Sequence, residues 1–445
     1  MSELWQTDHL GKYCYIKARI GWRGLSASEY TESGPYLIAG KHVENGVVDW
    51  DVCDHISEPR YRESWEIALS EGDVILTKDG TIGRVARIDT LPGKATINGT
   101  MMLVRPGEGL DYRFLYHVLN GAEFKRLIED KVSGSSIPHI FQRDMVNLPI
   151  SFPPIEYQGR LADVLDTLDT VIRETEALIC KIKAVKQGLL HDLLTRGIDA
   201  NGQLRPPQSE APQLYKESPL GWIPKGWMVE GLASVAAKDR SVIRTGPFGS
   251  TLKGEHWRES GRPVVTIGSL GDGRFIESEL LFIDDITAGQ LAEFELLPGD
   301  IAFSRVADVG RSVVITEEQR GWIMSSNFMR ISVDSEKARP RLLQLLLASN
   351  TLVRNQIRMT VNSAGRDVAN SAVLMALRFP WPLPEEQDQI IGRVGAFERR
   401  VAMEEAQHQK LLAVKQGLMN DLLTGRVRVA PLLESVLQPA AQTGS

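Results

Sequence analysis

Ala184 to Thr195 reads AVKQGLLHDLLT and Ala413 to Thr424 reads AVKQGLMNDLLT: ten of twelve positions agree at an offset of 229. Chance does not produce such a match, so the chain carries one unit twice, and that repeat comes before any other reading of the fold. The same offset takes Phe152, Pro153, Glu156 and Gln158 to Trp381, Pro382, Glu385 and Gln387. Further upstream the offset becomes 227 and holds: Glu32, Ser33 and Gly34 meet Glu259, Ser260 and Gly261; Gly72 and Asp73 meet Gly299 and Asp300; Gly83 and Arg84 meet Gly310 and Arg311. The change falls near Arg105 to Asp111, and a surface loop tolerates a difference of about two residues.

Each half opens with short apolar runs bounded by Gly, Asp and Pro, the pattern of strands. In the first half these are Tyr36 to Ala39, Asp73 to Thr77, Arg84 to Ile88 and Thr100 to Val104, followed by one amphipathic helix over Tyr112 to Ile128. In the second they are Pro263 to Ile267, Asp300 to Phe303, Arg311 to Thr316 and Asn327 to Val333, then a helix over Arg341 to Arg358. Five prolines between Asp199 and Gly226 read as an extended linker whose last residues, GWIPKGW, can already be docked.

Each half ends in a heptad seam. Leu161, Leu165, Leu168, Ile172, Thr175, Ile179, Ile182, Lys186, Leu189 and Leu193 step by four and three, and Ile390, Val394, Phe397, Val401, Glu404, His408, Leu411, Lys415, Leu418 and Leu422 repeat the stepping with a polar middle. Prolines at the start and Gly197 or Gly425 at the end bound helices of about 40 residues, about 60 Å at 1.5 Å per residue. A seam of this kind can pair two chains; two matched seams in one chain favour an internal, antiparallel pair. The expected fold is α+β: two mixed α/β domains separated by two long antiparallel helices forming an intramolecular coiled coil, with a pseudo-twofold internal repeat. Its parts are residues 1–152 and 227–380 for the mixed domains, 153–197 and 381–426 for the helices, 198–226 for the linker and 427–445 for a tail. Gly188 and Gly417 stand inside strong helix contexts, where glycine costs about 1 kcal/mol relative to alanine. Close approach of another backbone, within the pair or from a partner, would account for them; so would simple tolerance.

The remaining chemistry is sparse. The length suits two or three domains, and no stretch is apolar enough to cross a bilayer, which predicts a cytoplasmic location and no membrane partner. Cys14, Cys53 and Cys180 form no pair, and the eight histidines have no metal-ligand spacing, so neither disulfides nor metal is expected. No phosphate-cradling Gly-x-x-x-x-Gly-Lys-Ser/Thr and no Asn-Pro-Pro-Tyr or Asp-Pro-Pro-Tyr is present, and the lone Glu-x-Lys at Glu129 to Lys131 closes a helix without a Pro-Asp partner. No catalytic residue is assigned.

The chain resembles the specificity subunits of Type I restriction-modification systems. The resemblance rests on KQGLLHDLLT and KQGLMNDLLT, on GWIPKGW, on GPFGSTLK at Gly246 to Lys253, and on the paired turns EGDVILTKDGTIGR and PGDIAFSRVADVGR. It implies two target recognition domains, each reading part of a split, asymmetric sequence in double-stranded DNA. It also implies helices that set the unread gap and bind two methyltransferase subunits through Gly188, Leu189, Leu193, Gly417, Leu418 and Leu422, with ATP-dependent translocase/endonuclease subunits joining them. S-adenosylmethionine, ATP and Mg would then sit on the partners and no cofactor on this chain. The second turn has Val306 to Asp308 where the first has Asp79 to Thr81, which puts the equivalence of the turn contacts in doubt. A scaffold that no longer reads DNA, or a specificity module of another defence enzyme, is the alternative. The net charge of −6 is unusual for a free DNA binder and points to partners that share the phosphate contacts.

The repeat also sorts residues. Two domains that read different bases share scaffold and phosphate contacts and differ in base readers. Lys78 and Arg84, with Arg305 and Arg311 at the same spacing, are the phosphate candidates, against a solvated basic hairpin. Base candidates are Lys17, Arg19, Trp22, Arg23, Lys41 and His42, with Ser135 and Ser136 as additions, and Arg244, Phe248, Ser250, Lys253, Asn362 and Arg366.

Overall fold

A computed structural model describes residues 5–18, 25–133, 138–248, 251–271, 273–306, 309–363 and 368–425. They form two compact units: Met1–Leu178 with Glu404–Ser445, and Ile179–Met403. The long helices, α1 (Ile155–Thr195) and α2 (Pro384–Leu422), each contribute to both units.

In unit 1 a four-stranded antiparallel sheet runs in the order Cys14–Ala18, Met101–Pro106, Val74–Thr77, Val85–Arg87. Its strands alternate between two buried faces, as the period of two requires. Val74, Leu76, Met102 and Val104 pack with Phe114 and Leu115 of the helix Tyr112–Val118 and with Leu161, Leu165 and Leu422 of the long helices. Ile75, Ala86, Met101 and Leu103 pack instead against a three-stranded sheet of Asp54–Ile56, Tyr30–Ile38 and Ala95–Ile97. Gln6–His9 pairs with Pro149–Phe152.

Unit 2 repeats this topology. Its four strands are Ile243–Thr245, Phe328–Ile331, Ile301–Ser304 and Ser312–Val314; its three are Leu281–Ile283, Arg262–Val265 and Ile323–Met324; Met228–Glu230 pairs with Phe379–Trp381. Ile301, Phe303, Met329 and Ile331 face the helices, whereas Ala302, Val313 and Phe328 face the smaller sheet.

Small contacts repeat as faithfully as the sheets. Gln158 is fully buried and accepts from Asp111 N–H (2.8 Å) while its amide donates to the Gly109 and Pro153 carbonyls (2.9 and 2.8 Å). Gln387 accepts from Arg339 N–H (2.8 Å) and donates to Lys337 and Pro382 (3.1 and 3.0 Å). Gly34 and Gly261 have φ of 131° and 137°, and a side chain on either would strike a carbonyl of the neighbouring strand, that of Ile56 or Ile283.

Within unit 1, Asp169 of α1 pairs with Lys415 of α2 and Glu176 with His408 (2.9 Å), so the two stretches run antiparallel. These pairs account for the polar middle of the second seam. Within unit 2, Lys186 meets Glu398 at 3.0 Å and Glu386 caps Ile198 N–H at 2.8 Å, again antiparallel.

Three sequence expectations are corrected. The helix expected over Tyr112 to Ile128 is two, Tyr112–Val118 and Ala122–Ser133, broken at Asn120 and Gly121. The one expected over Arg341 to Arg358 is also two, Pro340–Ser349 and Thr351–Ser363, parted at Asn350, whose carboxamide accepts from Leu352 and Val353 N–H and donates to Leu194 (2.7 Å). The linker is folded rather than extended: Tyr215–Ser218 and Gly221–Pro224 form a hairpin, and Tyr215, Ile223 and Trp227 are buried. Three large apolar side chains at that spacing outweigh the prolines, which sit where no ladder N–H is needed.

Candidate nucleic-acid interface

The repeated turns use one construction. After the strand Val74–Thr77, Thr77 Oγ1 donates to the Thr81 carbonyl (2.6 Å) and accepts from Arg84 N–H (2.9 Å). After Ile301–Ser304, Ser304 Oγ donates to Val306 (2.8 Å). Gly83 and Gly310, at φ 84° and 102°, turn the chain into the next strand and aim Arg84 and Arg311. Arg84 donates to the Gly40 carbonyl (3.5 Å) and Arg311 to the Ile267 carbonyl (3.1 Å), positions related by the repeat. Shared position therefore means shared anchoring, and Arg84, being exposed and weakly held, keeps most of its guanidinium for another ligand.

The other two phosphate candidates are placed differently. Lys78 is 9 % exposed and donates to Asp79 at 2.5 Å, which also binds His139. Burial pushes the Asp79 carboxyl up, but Lys78 and His139 outweigh it and hold it below the usual carboxylate range. Arg305 is half-buried and donates to Ala369 (3.3 Å). Neither side chain stands as a free cation at the surface.

Lys41 and Arg84 share two neighbouring cavities in unit 1. One, about 560 Å³, is floored by Val43, Asn45, Gly46 and Val85; the other, about 510 Å³, adds Tyr30, Asp54, Asp79, Asn98 and Thr100. Hydroxyl, phenol, amide and carboxylate groups beside two cations are the donors and acceptors that base edges and phosphates meet. Tyr30, Asp54, Asn98 and Thr100 escaped the sequence reading because they lie in different elements. Lys41 is exposed, with Asp54 at 3.1 Å. His42 is corrected from a base candidate to a core residue: it is 2 % exposed, accepts from Ala39 N–H (3.0 Å), and burial lowers its pKa.

Lys17 and Arg244 prove to be repeat equivalents, on the first strand of each four-stranded sheet, opposite Leu103 and Arg330. Phe248 is 87 % exposed and Lys253 is exposed, so both are available. Arg19, Trp22, Arg23, Ser135, Ser136, Ser250 and Arg366, and the side chain of Asn362, lie outside the described residues.

The seat of the first mixed domain on α1 is ionic. His117, fully buried, bonds Asp166 at 2.8 Å; Arg87 binds the same carboxylate, and Arg113 reaches Asp163 at 2.6 Å. His117, Asp166 and Asp169 converge within 4.8 Å, a grouping that the histidine spacing did not reveal, but Arg87 and Lys415 already neutralise the two carboxylates. Burial pushes Asp166 up, yet the bonds and charges of His117 and Arg87 outweigh it and leave the carboxyl below its ordinary value. Its stabilisation is thus complete above the unfolded carboxyl pKa of about 3.9 and lost as pH falls below it. The urea midpoint of the wild type should drop between about pH 5 and pH 3, and Asp166→Asn should flatten that slope. Equal slopes would remove Asp166 from the clamp.

Of the helix candidates, Leu193 and Leu422 are buried and Leu189 and Leu418 half-buried against the cores of their units. Gly188 and Gly417 are exposed, and a Cβ on either would meet nothing within 4 Å, so close packing inside the pair is not their reason. Val185 and Val414, at equivalent positions, are 49 % and 42 % exposed. Cys180 is exposed as well, not a packing residue.

Residues 24–184 match the family described as Type I restriction modification DNA specificity domain. The chain is 24 % identical over 373 residues to the Type I restriction enzyme MjaVIII specificity subunit of Methanocaldococcus jannaschii, covering 82 % of each. It is 21 % identical over 444 residues to the EcoKI specificity subunit of Escherichia coli, covering 92 % of this chain and 89 % of that one. Its fold is that of the S subunit from M. genitalium (TM-score 0.56, 14 % identity, 95 % of this chain and 97 % of that one). A chain solved in work on complex assembly and conformational transition of the type I R-M system gives 0.57, at 17 % identity and 94 % and 97 % coverage. With two mixed folds built on one plan, a match to the family across the first, and relatives aligned along most of its length, the chain is similar from end to end to the specificity subunits of Type I restriction-modification systems.

Proposed function

We propose that this chain binds double-stranded DNA at a split, asymmetric target, one part for each recognition domain, and directs two methyltransferase subunits and the ATP-dependent translocase/endonuclease subunits to it. It performs no chemistry itself; S-adenosylmethionine, ATP and Mg belong to the partners. The observation that carries this reading is the pair of recognition folds with the same strand order and the same buried contacts but different surface side chains. One scaffold held twice with unlike surfaces suits reading two unlike sequences.

Arg84→Ala tests the DNA reading. Binding should weaken on cognate and random duplexes alike, and the slope of log affinity against log salt should fall by about 0.9. A loss confined to one base-pair position would make Arg84 a base reader instead.

The exposed faces around Gly188 and Gly417 suit the methyltransferase contacts. Gly188→Ala should stabilise α1 by about 1 kcal/mol, because glycine is the poorer helix former. Gly188→Trp should leave the fold intact and block co-purification of the methyltransferase; unimpaired assembly would place the contact elsewhere.

A further inference from the structure

Arg330 lies on the central strand Phe328–Ile331 of unit 2, on the face that carries Ala302 and Phe328 against the smaller sheet. Its repeat equivalent, Leu103, is an ordinary core residue. Arg330 is only 4 % exposed, its Nε is sealed from solvent without a partner, and its guanidinium donates no hydrogen bond among the described residues. A buried cation with no bonded counter-ion costs several kcal/mol relative to an apolar residue of similar size.

The carboxylate beside it is already committed. Asp300 accepts from Arg240 (2.7 Å), Leu297 N–H (2.8 Å) and Ser332 (2.5 Å). In unit 1 the equivalent Asp73 likewise accepts from a backbone N–H, that of Ser70 (2.7 Å), and pairs with one cation, Arg105, at 2.6 and 2.7 Å, so charge is balanced there. Unit 2 adds Arg244 directly across the ladder from Arg330, where like charges repel. Arg244 leans on Glu293 and over the Phe294 ring, and keeps 41 % of its side chain exposed. Three guanidiniums thus face two carboxylates. Burial lowers the Arg330 pKa, and Arg240 and Arg244 lower it further against Asp300.

We propose that Arg330 and Arg244, backed by Arg240, form an oxyanion site in the second recognition domain that takes a phosphate group. The inference rests on the DNA reading for its natural source, a backbone phosphodiester, but free phosphate has the same chemistry. A neutral base edge would leave the excess charge uncompensated. The basic residue at the equivalent of Arg244, Lys17, fits a phosphate contact shared by both domains, with Arg330 deepening it in one.

The test uses the full-length chain, Arg330→Leu, which installs the residue found at Leu103, and Arg244→Gln. Inorganic phosphate at constant ionic strength should raise the melting midpoint of the wild type and not of Arg330→Leu, whose midpoint in chloride should equal or exceed the wild type's. Duplex affinity should fall roughly tenfold in either variant, on any sequence, with the salt slope smaller by about 0.9. If phosphate stabilises the wild type through Arg330 but no duplex binds, the site stands and the DNA reading fails. If duplex binding shows the losses without a phosphate response, the source is the DNA backbone. A lower midpoint for Arg330→Leu in chloride would make Arg330 structural. A loss confined to one base pair with an unchanged slope would make it a base reader. Either result overturns the site.

Discussion

Gln158→Ala should destabilise unit 1 by about 3 to 5 kcal/mol, one of the largest single-residue effects in the chain outside the core leucines. The fully buried carboxamide holds three backbone groups, the N–H of Asp111 and the carbonyls of Gly109 and Pro153, at 2.8 to 2.9 Å, and the bond to Pro153 is itself buried. The Pro153 carbonyl becomes an unsatisfied buried group when the side chain goes, at about 1 to 3 kcal/mol, and the two part-buried bonds add about 0.5 to 1.5 kcal/mol each. Asp111 in turn caps the helix Tyr112–Val118 through Arg113 and Phe114 N–H, so the loss spreads to the element that seats the recognition domain on α1. Gln387→Ala should cost unit 2 a similar amount, since its three bonds are the same. Denaturant midpoints measure both. A cost under about 1 kcal/mol for either would mean that the backbone groups are rehydrated and that the glutamines are not locks.

The second large effect concerns the DNA gap. Matched insertions of four residues into α1 and α2 add about 6 Å and slightly more than one helical turn, so the flanking seams still face each other. At 3.4 Å per base pair the unread gap in the methylated site should grow by one or two pairs, with both specific parts unchanged. An active complex that methylates with the original gap would reject the helices as the ruler.

Much of this architecture was legible because the sequence states it twice. The repeated Gly-Asp and Gly-Arg pairs locate equivalent strands, and the heptads locate α1 and α2, because burial of a face imposes a period. What stayed hidden depends on tertiary contact. The helix breaks at Gly121 and Asn350 lie inside runs of good helical periodicity, and Asn350 is set by a bond to Leu194, which is remote in sequence. Gln158 and Gln387 were visible as a repeat, but their burial and their backbone partners were not. The strands Cys14–Ala18 and Ile243–Thr245 are too short and too basic to announce themselves, so the equivalence of Lys17 and Arg244 went unseen. Charge alone cannot tell Arg84, which is exposed, from Lys78, which is buried on Asp79. Arg330, in the apolar run Asn327 to Val333, carried a signal that the comparison with Leu103 would have found.

The most direct test of the central claim is to express this chain with a Type I methyltransferase subunit and map methylated adenines across the host DNA by single-molecule sequencing. The account predicts one asymmetric motif in two parts with a fixed gap, absent when this chain is omitted. A soluble complex with the methyltransferase that leaves no motif, or a continuous symmetric one, would contradict it.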